Sequence, residues 1–355
     1  MNSKYRAVLV GCGGISDAWM KAAALHEHAE LRGVVDLNPD AAKAFVARHD
    51  LTGAVHVGTD LAEAIDATSA QVVFDLTVPE AHCDVTCTAL ENGCHVLGEK
   101  PMAATMHQAR RMVTAAKASG NIYAVTQTRR FIPQLQRLKQ FLDSGAIGRV
   151  HSAHADFFIS ANFGGFRAEM KHVLLLDMAI HSFDTGRLLT PGLPVRVIAD
   201  DWNPPGSWYE NGASAWAAFT MDGGQRFTYR GSWTATGAQT SWDCAWRIFG
   251  DRGAVTWDGH DGFEAERVVD VNQPGSRHGG PLIRDLEAID IPPINTEKCR
   301  ATHDGAIHAF FQALRNGREP ETTCYDNIHS LAMVLGAIDS AQRGGVPVDI
   351  ESEAP

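Results

Sequence analysis

The strongest constraint on this chain is the rhythm of its first 126 residues, where short apolar runs alternate with longer amphipathic stretches. The apolar runs cover residues 7–10, 31–35, 55–57, 72–76, 95–97 and 122–125. Helical spacing fills most of the gaps, over 17–28, 39–49, 61–67, 81–92 and 106–118. Strand and helix in alternation point to a parallel sheet, because parallel neighbours need a crossover and a helix is the usual one. The runs are continuous in Val and Leu rather than alternating, which fits strands covered on both faces. An α/β fold is therefore expected, with ligands binding beyond the carboxyl ends of the strands.

The first of those ends reads Val10-Gly11-Cys12-Gly13-Gly14-Ile15-Ser16. Gly11 permits a tight turn and Gly13 lets backbone approach a pyrophosphate. A helix opening near Ile15 would offer free N–H groups and its positive end. Ser16 stands where the G-x-G-x-x-G/A pattern places Gly or Ala, a small departure expected to loosen helix–strand packing slightly. The second run ends at Asp36, about twenty residues further on, where a carboxylate accepts from ribose hydroxyls and repels a 2′-phosphate. Leu37-Asn38-Pro39-Asp40 contains no Lys or Arg to hold such a phosphate. Asp36 could instead cap the helix opening at Pro39, a role that Asn38 also fits. The cofactor expected is NAD rather than NADP, in a dinucleotide-binding domain over residues 1–126.

Two more strand ends meet the same rim. Thr77-Val78-Pro79-Glu80-Ala81-His82 follows the fourth run, and Gly98-Glu99-Lys100-Pro101-Met102 follows the fifth. Proline at 79 and 101 fixes backbone direction and removes a donor, as suits turns built for positioning. Candidates for cofactor contact are thus Gly11, Gly13, Gly14, Ile15, Asp36, Thr77, Pro79, His82, Glu99 and Lys100. Lys100 reads either as a surface charge paired to Glu99 or as a site lysine. Its place at the rim, one residue before a stiff proline, favours the second.

The pattern changes after residue 126. An amphipathic stretch over 133–148 gives way to strand-like segments at 149–159, 195–201, 214–221, 226–234, 243–249 and 254–258. Seven of the eight tryptophans lie between residues 202 and 257, as expected of aromatics packed on one face of a sheet. Two helices are expected at 302–315 and 326–342. Residues 127–355 are read as one α+β domain, and 355 residues exceed what a single core usually supports. Within it, residues 173–184 read as a buried helix carrying Asp177, His181 and Asp184 on one stripe. Burying such groups is costly unless they are partnered. They are a self-satisfying core pair, a metal set, or proton-transfer groups, and a cofactor rim in need of a proton acceptor favours the last.

Composition narrows the function classes. A formal net charge of -11 argues against a nucleic-acid or anionic-membrane partner, which needs a basic patch. No apolar run approaches the roughly 18 residues of a membrane helix, and the apolar stretch before Gly11 is too short for a signal peptide. The cysteines, 12, 83, 87, 94, 244, 299 and 324, are odd in number and without framework spacing, as in the reducing cytoplasm. His82, Cys83, Cys87, Cys94 and His95 lack the second closely spaced ligand pair of a structural zinc site, so no metal is expected.

Taken with Arg130-Phe131-Ile132-Pro133, Asp177-x-x-x-His181, the 249–255 run Phe-Gly-Asp-Arg-Gly-Ala-Val and the closing Gly-Gly-Val-Pro-Val, these motifs make the chain resemble the Gfo/Idh/MocA family of NAD(P)-dependent oxidoreductases over nearly its whole length. The resemblance implies a Rossmann domain plus an α+β domain with a large, mostly antiparallel open sheet, whose open face forms homodimers or homotetramers. It implies substrates among sugars, sugar derivatives and cyclic polyols. It also implies that Lys100, Asp177 and His181 are catalytic: His181 the general base, Lys100 bonding the reacting oxygen, Asp177 orienting His181 or gripping a neighbouring hydroxyl. Where many members have a glycine-rich lead into the Asp, this chain has Lys171-His172-Val173-Leu174-Leu175-Leu176, which brings in Arg167 and His172 as candidate substrate contacts. An NAD-retaining glycosidase, an NADP-linked reductase and a non-catalytic nucleotide or sugar sensor remain alternatives at this point.

Overall fold

The computed structural model describes residues 3–270, 283–295 and 299–351, which form two compact units. The first unit holds the described residues up to Phe131 together with Cys299–Leu331, and the second holds the remainder. Where a single division was expected at 126, the chain leaves the first unit after Phe131 and later returns to it.

The first unit is built on six parallel strands, β1 (Tyr5–Val10), β2 (Ala29–Val35), β3 (His56–Gly58), β4 (Val72–Asp75), β5 (His95–Gly98) and β6 (Tyr123–Val125), in the order β3-β2-β1-β4-β5-β6. Crossovers run through α1 (Gly14–Met20), α2 (Ala23–His28), α3 (Pro39–Arg48), α4 (Leu61–Thr68), α5 (Pro79–Glu91) and α6 (Met106–Ser119). All six expected strands are present, and β4, β5, β6 and the end of β1 are buried on both faces as their continuous apolar character requires, whereas Val57 of the edge strand β3 is exposed. Order reverses between β1 and β4, the switch point at which such sheets bind ligands. The helix expected over 17–28 is broken into α1 and α2, because Ala22 is extended and the Ala24 N–H is taken by the Asp304 side chain at 2.6 Å.

Strand β4 ends on Asp75, a carboxylate with no exposure. Its Oδ1 accepts from the Thr77 N–H at 3.2 Å and hydroxyl at 2.6 Å and lies 2.9 Å from His82 Nδ1, while Oδ2 accepts from the Thr86 hydroxyl at 3.0 Å. Burial works against a charged imidazole, but the adjoining Asp75 carboxylate outweighs it and holds His82 above its ordinary value. This cluster fixes the turn that follows β4.

The second unit opens with α7 (Pro133–Asp143), and its described residues form nine strands. They are β7 (Val150–Phe158), β8 (Pro194–Trp202), β9 (Ser214–Met221), β10 (Arg226–Ser232), β11 (Ala245–Gly250), β12 (Gly253–Trp257), β13 (Phe263–Val268), β14 (Leu286–Ala288) and β15 (Val348–Asp349), in the order β14-β13-β12-β11-β7-β10-β9-β8-β15. Among the described residues only β7 and β10 pair in parallel, so the sheet is mostly antiparallel. The three strands not expected from sequence lie toward the sheet edges, where charged residues and short length mask the strand signal.

Side chains alternate across this sheet. One face buries Phe157, Phe219, Phe227 and Tyr229 beneath helix α9 (Ile180–Leu189), which follows the short α8 (Phe166–Glu169). Phe183 of α9 sits edge-on to Phe219 and Tyr229 at 4.9 and 5.3 Å. Gly186 comes so close that a Cβ there would run into the Phe227 ring. The other face is half-exposed and carries the bidentate Arg230–Asp156 pair beside Trp216. The tryptophans are divided: Trp233, Trp246 and Trp257 are buried, whereas Trp202, Trp208, Trp216 and Trp242 are exposed.

The segment that returns to the first unit begins with α10 (Thr302–Asn316) and leads into α11 (Cys324–Gln342). Ile307, Phe310 and Phe311 of α10 join Trp19 and Phe74 in one core cluster, and Thr323 pairs with Ala124 along the edge of β6. Among the described residues no helix is long and apolar enough to cross a membrane.

Two predictions follow from this packing. Gly186→Ala should destabilise the chain by roughly 1–3 kcal/mol through overpacking against Phe227, read from thermal unfolding; an unchanged midpoint would show that the sheet yields freely. Asp75→Ala should cost about 3–5 kcal/mol by stranding a buried imidazole. A raised histidine contributes fully below the unfolded imidazole value and loses that contribution as pH rises through the raised one. Urea unfolding should therefore show a larger gap between wild type and Asp75→Ala at pH 6 than at alkaline pH, and an equal gap would remove the charged pair.

Candidate active site

A cavity of about 760 Å³ lies at the switch point of the first unit, lined by Gly11, Gly13, Asp36, Leu37, Thr77 and Val78 among others. Gly11 has φ +94°, and a Cβ on it would stand 2.7 Å from the Leu76 carbonyl carbon, so only glycine fits. At Gly13 and Gly14 a Cβ would meet nothing within 4 Å; the space kept free there is what close approach of a phosphate group requires. Helix α1 starts at Gly14 with no side chain capping it. Ser16 is accommodated by donating its hydroxyl to the Gly13 carbonyl at 2.6 Å. Asp36 accepts from Cys12 N–H and Asn38 N–H, both at 2.8 Å, and Asn38, not Asp36, caps α3. Asp36 thus ties the glycine turn to the end of β2 while keeping further lone pairs for a ribose. Among the described residues lining the cavity, Asp36, Asp60 and Asp84 are acidic and none is Lys or Arg.

Of the ten residues expected at the cofactor, the cavity brings together Gly11, Gly13, Asp36 and Thr77. Gly14, Ile15 and Pro79 flank it as the first residues of α1 and α5. His82 and Glu99, also expected there, both turn inward. His82 is held against Asp75 and lies 3.2 Å from the Thr77 hydroxyl, so it supports the turn from behind. Glu99 is buried and accepts from Trp19 Nε1 at 2.8 Å and His303 Nε2 at 3.2 Å. It turns inward because these donors lie in the core. Lys100 follows it half-buried, before a cis peptide bond to Pro101.

The second unit holds the other candidates. Residues Leu174–Ala179 form a π-helix that runs into α9, instead of the α-helix expected over 173–184. Its wider turn alters the stripe: Asp177 and His181 stay half-buried, whereas Asp184 is buried with Arg187 at 3.6 Å. Asp177 receives Arg167 Nε at 2.5 Å and Nη2 at 3.4 Å. The guanidinium of Arg167 lies over the rings of Phe163 and Phe166 at 5.3 and 4.7 Å. His172, at φ +51°, pairs through Nδ1 with Asp201 at 2.8 Å and contacts Gln342 at 3.0 Å. Both candidate substrate contacts are therefore engaged with carboxylates.

Sequence reasoning missed Asp75, Asp201, His303 and the apolar lining residues Leu37 and Val78. Asp75 left a legible signal, a carboxylate inside the run Val72-Val73-Phe74-Asp75-Leu76. Leu37 and Val78, 88% and 61% exposed, are large apolar residues placed directly after strand ends. His303 and Asp201 left none, since their partners are 204 and 29 residues away.

The cysteine–histidine set weighed for a metal is spent on other partners: Cys94 on the Ala70 carbonyl, His95 on the Ile122 N–H and His82 on Asp75. Among the described residues, Glu27, His28 and His308 could bring three ligand atoms within 4.8 Å of one another, but Arg300 already pairs with Glu27.

Comparison with known proteins agrees with this geometry. Residues 5–127 match the "Oxidoreductase family, NAD-binding Rossmann fold", and residues 135–256 match the "GFO/IDH/MocA C-terminal domain". The 1,5-anhydro-D-fructose reductase of Ensifer adhaerens is 24% identical over 344 residues, 95% of this chain and 96% of its own length. An oxidoreductase from Agrobacterium radiobacter, solved with NAD+, L-tartaric acid and magnesium, superposes with a TM-score of 0.80 at 19% identity over 98% of this chain and 99% of its own. Levoglucosan dehydrogenase, solved with NADH and levoglucosan, does so at 0.78 and 19% identity over 99% and 100%; at these identities the likeness is one of fold. With both domains of one family matched in chain order, the glycine-cradled cavity in the first of them and a mostly antiparallel sheet in the second, the chain belongs to the GFO/IDH/MocA family of oxidoreductases.

Proposed function

We propose that this oxidoreductase is an NAD-dependent dehydrogenase that oxidises a secondary hydroxyl of a sugar, sugar derivative or cyclic polyol. The observation that carries the reading is the cavity at the switch point, with glycines facing open space, Asp36 at its edge and acidic residues but no Lys or Arg in its described lining. Such a lining favours ribose hydroxyls over a 2′-phosphate. Gly11, Gly13, Gly14 and Asp36 would hold the dinucleotide, with Leu37 and Val78 as apolar walls. When bound, NAD supplies the acceptor for a hydride. The sugar substrate is supported by the relatives named as 1,5-anhydro-D-fructose reductase and levoglucosan dehydrogenase.

In this reading His181 takes the hydroxyl proton on a ring nitrogen, since imidazole is the side chain whose unperturbed pKa lies nearest neutrality. Lys100 donates to the reacting oxygen and stabilises charge developing on it. Asp177, its carboxylate fixed by Arg167, grips a neighbouring hydroxyl. The half-exposed sheet face around Trp216 and the Arg230–Asp156 pair is the surface through which copies would form dimers or tetramers. All seven cysteines are free thiols, which suits the reducing cytoplasm.

An absorbance screen for NADH formation over a panel of monosaccharides, anhydrosugars and inositols tests the activity. A productive substrate is expected, with His181→Ala and Lys100→Ala lowering kcat by roughly 10²–10⁴-fold; a panel that yields no NADH, or variants that turn over like wild type, overturns the assignment. Calorimetric titration tests the cofactor separately. NAD should bind at least about tenfold tighter than NADP, because Asp36 both loses a hydroxyl partner and meets a phosphate, and tighter NADP binding would reverse the choice.

A further inference from the structure

Lys100 leaves β5 directly after a buried carboxylate, Glu99. Glu99 is 6% exposed, and its Oε1 is shared by the indole N–H of Trp19 at 2.8 Å and His303 Nε2 at 3.2 Å. Its Oε2 accepts the backbone N–H of Lys100 at 3.1 Å, and its own N–H donates to the Asp75 carbonyl at 2.9 Å. The carboxylate therefore clamps the peptide that starts the Lys100–Pro101 turn. Burial by itself pushes this carboxyl up, yet the hydrogen bond and charge of His303, the Trp19 donor and the charge of Lys100 bring it below its usual range.

The donors to Glu99 are not equivalent. Trp19 is fully buried and neutral, and the Lys100 amide is neutral. His303, with 21% of its side chain exposed, is the donor supplied by the returning segment. It stands at the second residue of α10, a helix start held in place by Asp304 on the Ala24 N–H and joined by the neighbouring Arg300–Glu27 pair. Phe310 and Phe311 of the same helix are buried in the core, so the imidazole is offered from a rigid element.

We propose that His303 is a positioning residue for Lys100: by donating to Glu99 it holds the carboxylate in place against the Lys100 N–H, and so sets the direction in which the lysine leaves the strand. It acts through Glu99 and touches no reacting atom. The catalytic consequence rests on the dehydrogenase reading given above, whereas the clamp itself does not.

The test compares wild type with His303→Phe, which keeps a ring and removes the donor, and His303→Gln, which keeps a donor. Hydrogen exchange by mass spectrometry is read on the peptide containing Glu99 and Lys100, the only amide donors between Gly98 and Pro101. NAD affinity is measured by calorimetry, and kcat and KM on the best substrate of the screen. In His303→Phe, exchange at this peptide should quicken and kcat fall, each by at least about tenfold, the scale of one hydrogen bond to a charged group. NAD affinity should stay within about twofold, because the glycine cavity is untouched, and His303→Gln should recover most of both losses. Exchange in His303→Phe as slow as in wild type overturns the proposal. So does a Gln variant as impaired as the Phe one, which would show that ring packing and not donation matters. If His303→Phe does not fold, His303→Asn, whose amide falls short of Glu99, takes its place in the same comparison. Exchange requires no turnover, so a screen without a substrate counts against the dehydrogenase alone, and slow exchange in the variants counts against His303 alone.

Discussion

Two carboxylates, Asp75 and Glu99, lie inside the first unit at the ends of neighbouring strands, and the rim of its sheet is organised around keeping them partnered. A buried carboxylate without donors is among the costliest groups a core can contain. Each is supplied with three or more donors: Thr77, His82 and Thr86 for Asp75; Trp19, His303 and the Lys100 amide for Glu99. Because some donors come from the very turns that follow the strands, satisfying the charge and shaping the rim are one event. The turn after β4 lines the cofactor cavity, and the turn after β5 presents Lys100. A rigid backing of this kind is what a site needs if its outward groups are to hold a fixed direction.

The returning segment completes this arrangement. Helix α10 supplies His303 to Glu99, Asp304 to the start of α2, and three large apolar side chains to the core cluster around Trp19 and Phe74. Burial of each large aromatic is worth about 1.5–3 kcal/mol, so the segment contributes to stability as well as to polar satisfaction. The first unit is therefore not encoded by a continuous stretch of chain.

That discontinuity marks the limit of what could be read in advance. The parallel sheet, the glycine turn and Asp36 were legible because each rests on local pattern: continuous apolar runs, a turn that only glycine at 11 can make, and a carboxylate at a set distance beyond it. Side-chain direction was not legible where a distant partner decides it. Glu99 and His82 have the residue types of a cofactor rim, yet Trp19, His303 and Asp75 draw them inward. The break between α1 and α2 has the same origin, since the side chain that takes the Ala24 N–H is 280 residues away. The π-turn at Leu174–Ala179 differs in kind: residues 173–184 satisfy an α-helical pattern equally well, and no single residue in them announces the wider turn. Asp177 and His181 are half-buried, while Asp184 is carried into the interior.

The excursion of the chain between Phe131 and Cys299 has an evolutionary and practical corollary. A nucleotide-binding module that ended at Phe131 would leave Trp19 and Phe74 without Phe310 and Phe311 beside them, and Glu99 without its imidazole. The second unit is interrupted in its turn, since it resumes at Ala332 after the returning segment, so neither unit is complete until most of the chain has been synthesised. Recombination between relatives would have to exchange the second unit through three crossover points, after Phe131, Lys298 and Leu331, or move the whole chain at once.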